Sequence, residues 1–267
     1  MKPLRQSFAL VLRTPRLWLV QVAGNVAILL LYAGWLRLAE AHWWELVLNL
    51  LVPLMIFAGA VVLHGGTLNF YCDAQSDPAA LITPAFRNAL RHLVAIVIWI
   101  VVFFILWDQL NWLDNYSYKI TGFLRSSLPA WLRKHTAEEG LNDSFGYLIA
   151  VLRWVVLPGL LLPMALLTAE LGLSGLKRFR EWGRMLRSVS YWVVLALAAI
   201  IGVVLTDVLM EWKPRQETAT LFQEEVSVVI RMIVAYGLAL FSWLWVCSML
   251  GRLRPAGEPA AEPAQNS

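Results

Sequence analysis

Charge is scarce in this chain. Asp, Glu, Lys and Arg make up 15% of its 267 residues, against about 25% in an ordinary soluble domain. So few charges cannot solvate the surface of a water-soluble globule. Cysteine is nearly missing: Cys72 and Cys247 stand far apart, which excludes a disulfide-stapled secreted scaffold. His42, His64, His92 and His135 are scattered, without the i, i+4 pairing of a zinc helix. No glycine-rich loop ends in Lys-Ser/Thr, so nucleotide use by that route is excluded. Nor is a nucleophile–base pair visible. The expectation is a non-enzyme with no catalytic, cofactor-binding or metal residues and no cofactor. The net charge of +4 is not gathered into one patch, so nucleic acid is not an expected partner.

What is present is apolar. The chain is 59% hydrophobic with 14 Trp and a mean hydropathy of +0.63. Tryptophan suits membrane–water boundaries, because its ring is apolar and its N–H wants a partner. Six apolar runs are each long enough to cross a bilayer. They are Leu17–Leu36, Glu45–Leu63, Leu93–Leu113, Tyr147–Ala169, Tyr191–Met210 and Val226–Leu250. The first is too long for a signal-peptide core and reads as a retained span. The expected fold is all-α: a polytopic integral membrane protein, six transmembrane helices in three hairpins, with short amphipathic interfacial helices. Residues 1–250 form the six-span domain. Residues 251–267, rich in Pro, Ala, Glu and Gly, read as a disordered cytoplasmic tail.

Connections carry the remaining signal. Residues 64–81 read as a polar connection, with Gly65-Gly66 and Asp77-Pro78 as turns. Ser117–Lys134 has helical spacing, weakened by Gly122 and Pro129, and reads as a surface helix. Lys and Arg favour the side that holds both termini, thirteen against seven. That excess puts the N- and C-termini in the cytoplasm, and bacterial inner membrane is the expected location. Both cysteines then face a reducing compartment and need not pair.

A loose motif, aromatic-x-x-x-Leu-Arg, starts at Phe8, Phe86 and Trp182. It stands just before spans 1, 3 and 5, and never before 2, 4 or 6. Three units of one plan follow: approach helix, span, outer turn, return span. With the segments SFALVLRTPRLW and AFRNALRHL in view, the layout of residues 1–250 resembles loosely related six-span bacterial membrane protein families. These include the membrane domain attached to some glycerophosphodiester phosphodiesterases. Their soluble catalytic domain has no counterpart here, so the resemblance implies a fold and no activity.

Polar residues inside the spans are the site candidates. Gln21 and Asn25 are four apart, on one helix face, and a buried amide must be bonded. Asp108 and Arg153 stand at the same outer level, as do Asp207 and Arg231, and Arg37 with Glu45. An unpaired charge in a bilayer costs about 2.5–3.5 kcal/mol on the insertion scale. These charges therefore either fasten each hairpin or converge on a polar pocket. The basic set Lys177, Arg178, Arg180, Arg184 and Arg187 is a topology signal or a contact for acidic lipid headgroups. Ala198-x-x-x-Gly202 and Ala235-x-x-x-Ala239 suit close helix packing. The functional expectation is a lipid- or partner-interacting membrane component, with membrane lipids, a protein partner or a second copy as its associates. The alternative is a small transporter or permease subunit, drawing on Gln21, Asn25, Pro53, Pro158 and Pro163.

Overall fold

In hydrocarbon every backbone N–H and C=O must be satisfied internally, and a helix does this within one segment. The computed structural model describes residues 2–38, 42–76, 80–135, 137–212 and 221–254, and it is helical with no strand among them. The helices in order are α1 (Lys2–Arg13), α2 (Pro15–Trp35), α3 (Trp43–Ser76), α4 (Ile82–Arg91) and α5 (Leu93–Asn115). Then come α6 (Ser117–Ser127), α7 (Ala130–His135), α8 (Glu138–Val151) and α9 (Leu157–Leu171). The last are α10 (Phe179–Leu186), α11 (Val189–Ala199), α12 (Leu205–Glu211) and α13 (Leu221–Leu253). Turns of π-helix at Leu152–Val156 and Ile200–Val204 join α8 to α9 and α11 to α12. Six helical stretches are long and apolar enough to cross a membrane. The expected turn at Asp77-Pro78, Lys213, Arg215 and tail residues 255–267 lie outside the described residues.

The expected polar connection at 64–81 is corrected. Helix α3 runs on through Gly65-Gly66 to Ser76, 34 residues in all, or about 51 Å at 1.5 Å per residue. A hydrocarbon core is about 30 Å thick, so the helix outruns it by several turns. Its last turns form the core of the molecule: Leu68, Tyr71 and Cys72 are buried with Leu166, Leu167, Leu244, Cys247 and Leu250. At the opposite end Leu50, Met55, Phe104, Ile105 and Ile233 are exposed. The contrast has a simple cause. Apolar side chains need no cover from lipid, but must be covered where a helix leaves it. The glycines serve this cover. A Cβ on Gly66 would meet the Phe86 ring at 2.6 Å, and one on Gly65 would meet Ile96 Cδ1 at 2.9 Å.

The three motif segments become α1, α4 and α10, and each docks by its aromatic residue. Phe8 packs edge-on against Phe241 and Trp245, at 5.5 and 5.7 Å between ring centroids. Phe86 lies over Gly66, and Trp182 Nε1 donates to the Leu160 carbonyl at 2.9 Å. Three residues after each aromatic, Val11, Ala89 and Met185 are fully covered. Nine residues after it, so are Leu17, Ala95 and Tyr191. Ten after it, Trp18 Nε1 donates to Val11 O at 3.1 Å and Trp192 Nε1 to Leu186 O at 2.8 Å. Those bonds engage carbonyls in the last turn of α1 and of α10. The middle unit has Ile96 at that place. The motif leucines behave differently: Leu12 and Leu90 are exposed.

Prolines inside the spans are repaired locally. Pro53 has no N–H for the Asn49 carbonyl one turn back, and Trp35 Nε1 of α2 donates there at 3.3 Å. Pro163 frees the Gly159 carbonyl in the same way, and the buried Tyr191 hydroxyl donates to it at 3.0 Å. Beside Pro158 the chain takes the π-turn instead, a common accommodation within helices. Leu128, the residue before Pro129, is extended (φ −73°, ψ 145°) and so parts α6 from α7.

Candidate functional site

Helix α1 and the end of α13 share one end of the bundle. Trp245 Nε1 donates to Ser7 Oγ at 3.1 Å, and Ser248 Oγ donates to Ser7 O at 3.0 Å. Helix α4 joins them through Asn88 Nδ2, which donates to Glu170 O at 3.3 Å, and Glu170 in turn pairs with Arg254. Asn69 of α3 donates to the Ala169 and Ala85 carbonyls at 3.1 and 3.4 Å. Gly172 closes α9 at φ 63°, a conformation that L side chains rarely adopt. It leaves room for the His92 ring, whose Nδ1 would lie 2.6 Å from a Cβ there. The His92 pKa is lowered from its usual value by partial burial and by neighbouring Arg91.

Gln21 and Asn25 are brought together, and the residues that hold them were not singled out in the sequence. Gln21 is fully buried. Its Nε2 donates to the Leu63 carbonyl at 3.2 Å and to Thr67 Oγ1. Asn25 Nδ2 donates to Gln21 Oε1 at 3.4 Å and to the Tyr236 hydroxyl at 3.0 Å. The cluster thus ties α2, α3 and α13 together. Thr67 fell in the stretch read as a polar connection, and the single hydroxyl of Tyr236 in an apolar run has no pattern.

The outer charge pairs are redrawn. Arg153 pairs with Asp114 at 3.2 Å and lies over the Trp107 ring at 5.3 Å. Asp108 is exposed, six residues or nearly two turns before Asp114. Arg231 does not pair with Asp207. It donates to the carbonyls of Met210, at 3.1 Å, and Trp212, and its guanidinium stands 6.0 Å from the Trp212 ring centroid. A helix end offers free carbonyls and partial negative charge, which a cation satisfies as well as a carboxylate does. Asp207 is exposed. Arg37 and Glu45 are likewise not paired with each other. Glu45 Oε2 instead accepts the His42 N–H at 2.9 Å at the start of α3.

The basic set on and beside α10 divides in two. Arg178 pairs with Glu181 at 2.6 Å. Lys177, Arg180, Arg184 and Arg187 are exposed. A richer basic surface lies on α1, beyond the sequence candidates. A cleft of about 450 Å³ opens at the α1–α2 joint, lined by Arg13, Arg16, Leu17, Phe70, Leu81 and Ile82 among others. A second, of about 600 Å³, is lined by Lys2, Arg5, Arg13, Gln75 and Arg252 among others. Arg13 borders both, and among the described residues neither lining includes a carboxylate. Neither cleft is lined by Gln21 or Asn25. Cys72 and Cys247 are buried free thiols. Among the described residues no group of His, Cys, Asp and Glu could hold a metal ion. No protein-family model, curated protein or solved structure matches the chain.

Proposed function

We propose that this is a multi-pass membrane protein, built of three hairpins, whose basic end engages anionic lipid headgroups. The observation that carries the reading is a shared position. Lys2, Arg5, Arg13, Arg16, Arg180, Arg184 and Arg187 are exposed at the end of the bundle where α1 meets the end of α13. Leu12, Leu81, Leu90 and Phe179 are exposed at that same end. Cations interleaved with uncovered apolar side chains suit a headgroup layer, where each basic residue near an anionic leaflet contributes about 1 kcal/mol. Helices α1, α4 and α10 then lie at the interface as amphipathic segments. The basic excess assigns this end to the cytoplasmic face of a bacterial inner membrane.

Transport is the weaker reading. Its sequence support was buried amides and broken helices. Gln21 is fully covered and bonded to neighbouring spans, and the carbonyls freed by Pro53 and Pro163 are taken by Trp35 and Tyr191. Such positions serve packing.

The test is the lipid that stays with the full chain during purification from native membranes, measured by mass spectrometry. Enrichment of anionic over zwitterionic phospholipid, relative to the bulk membrane, is the expected result. Retention in bulk proportion would remove the proposal.

A further inference from the structure

We infer that the two clefts meeting at Arg13 form one site for a phospholipid with two phosphates on a short bridge, of the cardiolipin class. The inference rests on the lipid-engaging function proposed above and narrows it to one ligand chemistry and one place.

The geometry supplies three requirements of such a lipid. First, the cleft at the α1–α2 joint is lined by Arg13 and Arg16 together with apolar Phe70, Leu81 and Ile82. Two guanidinium groups suit one phosphate, since each offers a planar fork of donors. The apolar wall suits the start of an acyl chain, and a soluble anion would leave it unused. Second, Arg13 also lines an adjoining cleft with Lys2, Arg5 and Arg252. Arg252 is steadied by the Gln6 side chain. Among the described residues no carboxylate lines this cleft. One phosphate seated on Arg13 and Arg16 would leave those three cations sharing one cleft without a counter-charge, and like charges repel. A second phosphate offsets that repulsion. Third, Arg13 itself forms no ion pair among the described residues, so its guanidinium is free to bridge two anions. Pro15 fixes the bend that sets the two clefts side by side: α1 ends at Arg13 and α2 begins at Pro15. Basic pockets between membrane helices are an established setting for such headgroups.

The experiment uses the full chain in detergent, titrated with cardiolipin, phosphatidylglycerol or phosphatidylcholine, with bound lipid counted by native mass spectrometry. Phosphatidylglycerol is supplied at matched phosphate concentration, and inorganic pyrophosphate serves as a soluble competitor. Cardiolipin is expected to bind more tightly than phosphatidylglycerol. Arg13→Gln should weaken cardiolipin by about fivefold or more, while Arg180→Gln on α10, outside both clefts, should weaken it distinctly less. Arg5→Gln, on an exposed turn of α1, is the second variant should Arg13→Gln not yield folded protein. Arg13→Lys keeps the charge and should restore part of the affinity. Pyrophosphate should displace little lipid. Equal binding of the two anionic lipids, or equal loss in Arg13→Gln and Arg180→Gln, would overturn this site and leave the broader function standing. Full displacement by pyrophosphate would assign the clefts to a soluble anion instead. If phosphatidylcholine binds as well as either anionic lipid, both readings fail.

Discussion

Replacing Asp207 with Asn should leave stability unchanged, because the carboxylate is exposed. Arg231→Gln should cost about 1 kcal/mol, the scale of a cation on a helix C-terminus. Thermal unfolding of the purified protein measures both, and a large Asp207 effect would restore the pairing read from sequence. Similar logic separates Asp114 from Asp108. Arg153→Gln and Asp114→Asn should show coupling in a double-mutant cycle, and Arg153 with Asp108 should show none. For the buried amide, Gln21→Leu removes the tie to Leu63 and Thr67. Hydrogen bonds between membrane helices average about 0.6 kcal/mol and reach about 1.7, so a drop within that range is expected. No drop at all would mean that this amide is not a packing tie.

At the element scale, the proline repairs make the sharper test. Tyr191→Phe leaves the Gly159 carbonyl buried without its donor, a loss of about 1–3 kcal/mol. Pro163→Ala in the same chain returns a backbone N–H to that carbonyl and should recover part of the loss. If the double variant is no more stable than Tyr191→Phe alone, the hydroxyl is not serving the proline. The glycines divide in the same manner. Gly66→Ala places a methyl against the Phe86 ring, 2.6 Å away, and should loosen α4 from α3. Gly122→Ala meets nothing within 4 Å, and should gain roughly 0.5–1 kcal/mol from helix propensity. Hydrogen exchange of the α4 amides, read by mass spectrometry, would report the loosening of α4. Equal exchange in Gly66→Ala and wild type would show that Phe86 moves aside at no cost.

For the whole molecule, the two ends have different physics. One end packs the last turns of α3 and α13 together, with α1 against α13 and α4 and α9 against α3. The other leaves its apolar side chains exposed. Threading follows from this arrangement. Cysteines introduced at Gln6 and Arg180 should be labelled by an impermeant maleimide from one side of the membrane, and one at Ser126 from the other. Native Cys72 and Cys247, buried in that packed end, should react only after denaturation. Labelling of Gln6 and Arg180 from opposite sides would break the shared end on which the proposed lipid site depends.

Length and hydropathy determined the helical class and the six helices long and apolar enough to cross a membrane, and residue spacing marked an amphipathic segment before every other one. These are additive properties of neighbouring residues, so the chain displays them without folding. The repeat was legible in its aromatic and its Leu-Arg, but its covered positions, Val11 with Ala89 and Met185, look ordinary until the helices dock. Which carboxylate meets Arg153 depends on helix rotation, and 3.6 residues per turn sets Asp108 and Asp114 on different faces. Only the tertiary structure could run α3 through Gly65-Gly66, because a glycine pair signals a turn unless a ring from another helix occupies the space. It alone gathered Lys2, Arg5, Arg13, Arg16 and Arg252 around two clefts. Residues from α1 and from the end of α13 come together only once the whole helical bundle has assembled.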